Sequence, residues 1–157
     1  MPQFKTNKEI FTECESNGFF TQLEEIDSAK IRHMVSLALA DLEGAKYILP
    51  LTKTNNYAWS LLYKMHYDAF HQLAEAFLRL NKFKCNNHQC LFAYICKKHS
   101  ELEFDWGFLE KVRTKRNGIQ YYGEPVTQEN WKEINISIKL YINAIKKAIE
   151  EKLKINK

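Results

Sequence analysis

The stretch Ala58-Trp59-Ser60-Leu61-Leu62-Tyr63-Lys64-Met65-His66-Tyr67-Asp68-Ala69-Phe70-His71-Gln72-Leu73-Ala74-Glu75-Ala76-Phe77-Leu78-Arg79-Leu80 decides the fold. Within it Ala58, Leu62, Met65, Ala69, Leu73, Ala76 and Leu80 recur every three or four residues, the spacing that lines one face of an α-helix. A strand would need alternation at period two. Asn55-Asn56 supply an opening and Asn81 a stop, so the spacing predicts one long helix between them.

Upstream, Ile31, Val35, Ala38, Leu42, Ala45 and Leu49 repeat the same stripe, with Asp27 as N-cap and Pro50 as the stop. Two long helices joined by a short polar turn make a hairpin. Downstream, a shorter helix from Asn87 to about Lys98 buries Leu91, Phe92 and Ile95, and Lys97, Lys98 and His99 suit its C-terminal end. Asp105 caps a further helix carrying Phe108, Leu109, Val112 and Ile119. The last helix begins near Thr127 and carries Trp131, Ile134, Ile138, Tyr141, Ile145, Ala148 and Leu153 on one face. Ahead of all these, Asn7 to Glu15 reads as a short helix ended at Asn17-Gly18, with Phe19, Phe20 and Leu23 packing back. No strand pattern competes, and no internal repeat or linker divides the chain. The expectation is an all-α antiparallel bundle of about five helices over residues 27–157, with residues 1–26 as an N-terminal extension packed on it.

The 157 residues suit one domain, and 45% hydrophobic with 27% charged residues is the composition of a regular globular protein. A net charge of +4 is too mild to demand a polyanionic partner, so any such case rests on clustering. No run approaches the ~18 apolar residues of a membrane span, and no apolar segment follows Met1-Pro2-Gln3-Phe4-Lys5. The chain therefore reads as cytoplasmic, without a membrane partner. Cys14, Cys85, Cys90 and Cys96 are too sparse for a disulfide scaffold, and reduced thiols are expected.

Chemistry concentrates in Lys111-Val112-Arg113-Thr114-Lys115-Arg116-Asn117-Gly118-Ile119-Gln120-Tyr121-Tyr122-Gly123. Guanidinium groups grip phosphate bidentately, which makes Arg113, Lys115 and Arg116 candidate phosphate contacts, with Asn117 and Tyr121 as polar groups beside them. The plainer alternative is a solvated helix face. On an ideal helix Arg113 and Arg116 share a face, while Tyr121 is rotated by about 140° from Arg116. Joining Arg116 to Tyr121 takes a helix break at Asn117-Gly118 or two copies meeting at a two-fold axis.

Tyr67-Asp68-Ala69-Phe70-His71-Gln72-Leu73-Ala74-Glu75-Ala76-Phe77-Leu78, then Asn81-Lys82-Phe83-Lys84, then Asn87-His88-Gln89-Cys90-Leu91-Phe92-Ala93-Tyr94 resemble the second and third helices of HEPN domains. These are all-helical proteins named for their occurrence in higher eukaryotes and prokaryotes and for nucleotide binding. Arg116-Asn117 followed by Tyr121 is similar to that family's Arg-Asn signature, and the resemblance spans about residues 30–151. It implies a homodimer with the arginine motifs meeting at the dimer cleft. It also implies RNA or a nucleotide as ligand, and a metal-independent ribonuclease toxin paired with a nucleotidyltransferase-like antitoxin. No cofactor or metal is implied.

In active members Arg-x4-6-His carries the chemistry, so the resemblance marks Arg116, Asn117 and Tyr121 as the catalytic positions. The histidine's place is taken by Tyr121, and the last histidine of the chain is His99. A phenol with a pKa near 10 is a poor general base at neutrality, and losing an acid-base factor of about 10² to 10⁴ leaves little ribonuclease rate. Phosphate binding needs no such group. Antitoxins of this family adenylylate a tyrosine two positions past the histidine; that position here is Gly123, and Tyr121 and Tyr122 are the nearest candidates for modification.

Other polar residues carry blander readings. His71 is a packing or interface histidine, though it is also a histidine that could be supplied to the arginine from elsewhere in the chain. Cys85, His88, Cys90, Cys96 and His99 match no common zinc spacing, so no metal site is expected. Three functions stay open: a nucleic-acid- or nucleotide-binding toxin-type protein with weak or absent ribonuclease activity, a catalytically silent dimeric scaffold for a nucleotidyltransferase partner, and an enzyme using Tyr121 or a borrowed histidine.

Overall fold

A computed structural model describes residues 4–155 of the chain. Six α-helices account for most of it: α1 (Asn7–Ser16), α2 (Ser28–Ile48), α3 (Ala58–Leu80), α4 (His88–Lys98), α5 (Trp106–Tyr122) and α6 (Gln128–Ile155). The all-α bundle expected from the periodicity is what the chain forms. Its starts are chemically explicit. Asp27 accepts from the Lys30 N–H at 3.0 Å, Asn87 from Cys90 at 3.0 Å and Asp105 from Gly107 at 2.9 Å, each satisfying an N–H that has no partner within the helix. Thr6 does the same for α1 through the Glu9 N–H.

Two details differ from the sequence reading. Pro50 does not end α2 abruptly but sits in a 3₁₀ turn, Leu49–Lys53, that carries the chain over to α3. A minimal antiparallel pair also forms, Thr21 opposite Lys84 and Gln22 opposite Phe83, labelled β1 (Thr21–Gln22) and β2 (Phe83–Lys84). Two residues per strand are too short for an alternating pattern to register.

Helix α3 is the axis of the molecule. It packs on α2 and α6 along one side and on α4 and α5 along the other, and Leu62, Tyr63, Tyr67, Phe70, Leu73 and Leu78 are almost wholly buried. From α6, Ile134, Ile138, Ile142, Ile145 and Ile149 present a stripe of the same kind. From the N-terminal extension, α1 lies on α4, where Phe11 and Phe20 pack against Tyr94.

The expectation of reduced thiols fails for two of the four cysteines. Cys14 of α1 and Cys90 of α4 are joined in a disulfide across 76 residues of sequence, while Cys85 and Cys96 are free. That pairing depends on α1 docking against α4, a long-range contact that cysteine spacing cannot announce.

Helix α5 passes through Asn117-Gly118 without a break and ends at Gly123. Gly123 takes φ 65°, a left-handed conformation that costs glycine little, and the Glu124 N–H returns to the Gly118 carbonyl at 3.1 Å. The basic segment is therefore one rigid helical surface.

Candidate functional site around Arg116

Residues from two of the stretches that carry the resemblance, 67–78 and 87–94, meet Arg116 between α3, α4 and α5. Arg116 of α5 reaches α3, where its Nη2 donates to Oδ1 of Asp68 at 3.2 Å and its guanidinium lies 5.3 Å from the Tyr67 ring centroid. The Tyr67 hydroxyl shares a 3.0 Å hydrogen bond with Nδ1 of His88 at the start of α4. The His88 ring stacks on His71 with centroids 3.6 Å apart, and Nε2 of His71 stands 3.5 Å from the Glu75 carboxylate. Residues 67, 68, 71 and 75 fall on one face of α3 because three- and four-residue steps do so.

Burial sets the charge state of this cluster. The His71 imidazole is pushed down to about 3, first by burial and then by the neighbouring His88 and Arg116. His88 is also lowered, by burial and then by Arg116, and Tyr67 is pushed well above the usual phenol range by burial. Glu75 is raised by burial, and so is Asp41 on α2, which also feels the Asp68 charge. At neutral pH the cluster holds a fixed cation beside two neutral imidazoles.

The guanidinium is not fully engaged. Its side chain is 13% exposed, Asp68 takes one edge, and Nε is buried with no partner. Nε2 of His71 is likewise buried without a hydrogen bond. Buried groups of this kind are normally paired, so the cluster has unused donor and acceptor capacity around a cation. A phosphate oxygen arriving there would satisfy the guanidinium, and its negative charge would favour protonated imidazole.

The other residues singled out from the sequence divide differently. Arg113 shares the seam with Arg116, yet its guanidinium is held by Glu110 at 2.9 and 3.1 Å, and Glu110 is further bound by Gln89 at 2.9 Å. Lys111 is paired with Glu133 of α6 at 2.8 Å, and Lys115 lies with it in a separate groove against α6. Asn117 is half-buried beside Arg116. Tyr121 and Tyr122 are 67% and 76% exposed at the end of α5. With the helix unbroken, Tyr121 does not join Arg116 within one protomer, whereas His71 and His88 come close to it. Sequence reasoning had His71 as an outside possibility and His88 only as a motif residue; the i, i+4 relation of Tyr67 to His71, opposite the His88 at the head of α4, was the available signal.

A pH dependence of stability follows from the buried imidazoles. His66, His71 and His88 all have folded-state values below the ~6.5 of an exposed imidazole. The unfolded chain then binds more protons below about pH 6.5, so stability is complete above that value and declines as pH falls toward about 3. His71, the most deeply buried, contributes up to about 1.4 kcal/mol per pH unit within its window and half-buried His88 less, partly offset at the acid end by the raised Asp41 and Glu75. Urea midpoints measured between pH 7 and pH 5 should fall steadily, and His71→Gln should flatten the slope. An unchanged slope in that variant would mean that His71 is not held neutral by the fold.

Comparison of the chain with models of protein families, with curated proteins and with solved structures finds no match. Among the described residues no helix is long and apolar enough to cross a membrane, and no group of three or more metal-ligating side chains is assembled.

Proposed function

We propose that this is a HEPN-like helical-bundle protein that binds RNA or a nucleotide phosphate at Arg116. We further propose that it serves as the toxin-type component of a toxin-antitoxin or defence module, with weak or absent metal-independent ribonuclease activity. The observation that carries the reading is the convergence of Tyr67, Asp68, His71 and His88 on a partly unsatisfied guanidinium. Action as a homodimer belongs to the same proposal, since exposed Tyr121 can approach Arg116 only from a second copy.

A metal-free RNA cleavage assay tests the catalytic part. Wild type should cleave slowly or not at all, and Tyr121→His should raise the rate by up to about 10² to 10⁴ if the two-fold arrangement supplies residue 121 to the partner's arginine. Robust wild-type cleavage that survives Arg116→Ala would move the chemistry elsewhere. Robust cleavage lost in both Arg116→Ala and His88→Ala would instead assign the borrowed histidine.

A second reading, a catalytically silent dimeric scaffold for a nucleotidyltransferase-like partner, is favoured by a specific observation. Lys111, Arg113 and Arg116 already have carboxylate partners within the protomer, which reduces the free positive field of the segment. On that reading Tyr121 and Tyr122 are sites for the partner's modification. Intact mass after co-expression with an active partner checks it, and an unmodified mass counts against it.

A further inference from the structure

On the side of α3 away from Arg116, helices α2, α3 and α6 enclose a groove of about 390 Å³, within the size range of small-molecule sites. Its apolar walls come from Leu42, Leu49, Leu62, Trp131 and Ile142. Its polar groups are His66, Asn135, Asn143, Lys46 and Lys139, and no carboxylate lines it. An apolar groove whose only charges are positive selects for a ligand with an apolar body and a negative group.

The hydrogen-bonding pattern narrows the ligand further. Nδ1 of His66 lies 2.9 Å from the Leu62 carbonyl, which can only accept, so the hydrogen is on Nδ1 and Nε2 carries a lone pair. Burial lowers the His66 pKa by more than the Leu62 carbonyl contact raises it, with Lys139 acting on the side of burial, so the ring stays neutral at pH 7. The Asn135 carboxamide oxygen is buried with no partner. His66 and Asn135 both line the groove, and no donor within the protein is supplied to the Asn135 oxygen. Lys46 is tied to Glu43 at 2.9 Å, whereas Lys139 has no described carboxylate in ion-pair range and lies 5.8 Å over the Trp131 ring, which itself packs on His66 at 4.6 Å.

We propose that this groove binds a small amphipathic organic anion bearing an N–H or O–H donor. Its apolar ring lies between Leu42, Leu62 and Ile142, its acid group meets Lys139, and its donor serves Asn135 or His66. The site is independent of the phosphate reading, because it uses the opposite face of α3.

Two probes have the required parts: indole-3-acetate and 8-anilinonaphthalene-1-sulfonate, each an aromatic body with one N–H and one acid group. Calorimetric titration of the full chain should show one-to-one binding of at least one of them. Lys139→Gln, an exposed position that leaves the core intact, should weaken it by about tenfold or more, the order expected for a charge-assisted contact. Indole-3-acetamide, which keeps the ring and N–H but lacks the charge, should bind weaker by a similar factor. Asn135→Leu should also weaken binding, with unchanged thermal unfolding as the control for folding. No binding of either probe at millimolar concentration, or binding indifferent to Lys139→Gln and Asn135→Leu, would overturn the proposal.

Discussion

Replacing Arg113 with alanine is expected to destabilise the bundle by about 3–5 kcal/mol, much of the 5–15 kcal/mol that holds a domain of this size together. Glu110 is 2% exposed and depends on Arg113 for two hydrogen bonds and on Gln89 for one. Removing the arginine leaves a buried carboxylate without its counter-charge, and the remaining amide donor cannot replace it. The double substitution Glu110→Met with Arg113→Met should recover most of the loss, because no charge is then buried unpaired. Urea denaturation of the two single variants and the double variant measures this cycle. A loss below about 1 kcal/mol for Arg113→Ala would mean that Glu110 reaches water when its partner is removed.

Arg116→Ala is expected to do the reverse: little to stability, much to binding. Its partner Asp68 has a 37% exposed side chain, so the orphaned carboxylate is solvated and the cost should be about 1 kcal/mol or less. Binding of a short single-stranded RNA should weaken by about 10- to 100-fold, the equivalent of one charge-assisted bidentate contact. Arg116→Lys should restore only part of the loss, since an ammonium lacks the planar fork. Lys115→Ala should weaken binding less, and all the affinities should fall steeply with salt. Fluorescence anisotropy at two ionic strengths gives these values. Equal losses for Lys115→Ala and Arg116→Ala would indicate a diffuse basic surface in place of a site.

The fold was legible because its signal is local. The stripes from Ala58 to Leu80 and from Ile31 to Leu49, with Asp27, Asn87 and Asp105 as caps, each lie within a few turns of helix and need no knowledge of tertiary packing. What the sequence hid depends on contacts between distant segments. The Cys14–Cys90 bond and the Thr21–Lys84 pairing both follow from residues 4–26 folding onto α4 and the end of α3. The basic segment was legible as a concentration of charge, but not as charge already spent. Glu133 comes from α6 and Asp68 from α3, so the pairing of Lys111 and Arg116 is tertiary, and only Glu110 lies within one helical turn of its arginine. His71 and His88 are 17 positions apart in sequence and meet face to face only because α3 and α4 pack side by side.

The phosphate site proposed at Arg116 is tested most directly by following the five histidine side chains in a ¹H–¹⁵N spectrum while a short RNA is titrated into the protein. His71 and His88 border the guanidinium, whereas His66 lines the groove across α3, His99 packs on Phe77, and His33 is exposed on α2. The expected result is that the His71 and His88 imidazoles shift and move toward the protonated form as the phosphate binds, with His33, His66 and His99 unchanged, and that Arg116→Ala abolishes the response. RNA binding that leaves His71 and His88 unmoved, or moves all five alike, would contradict the assignment.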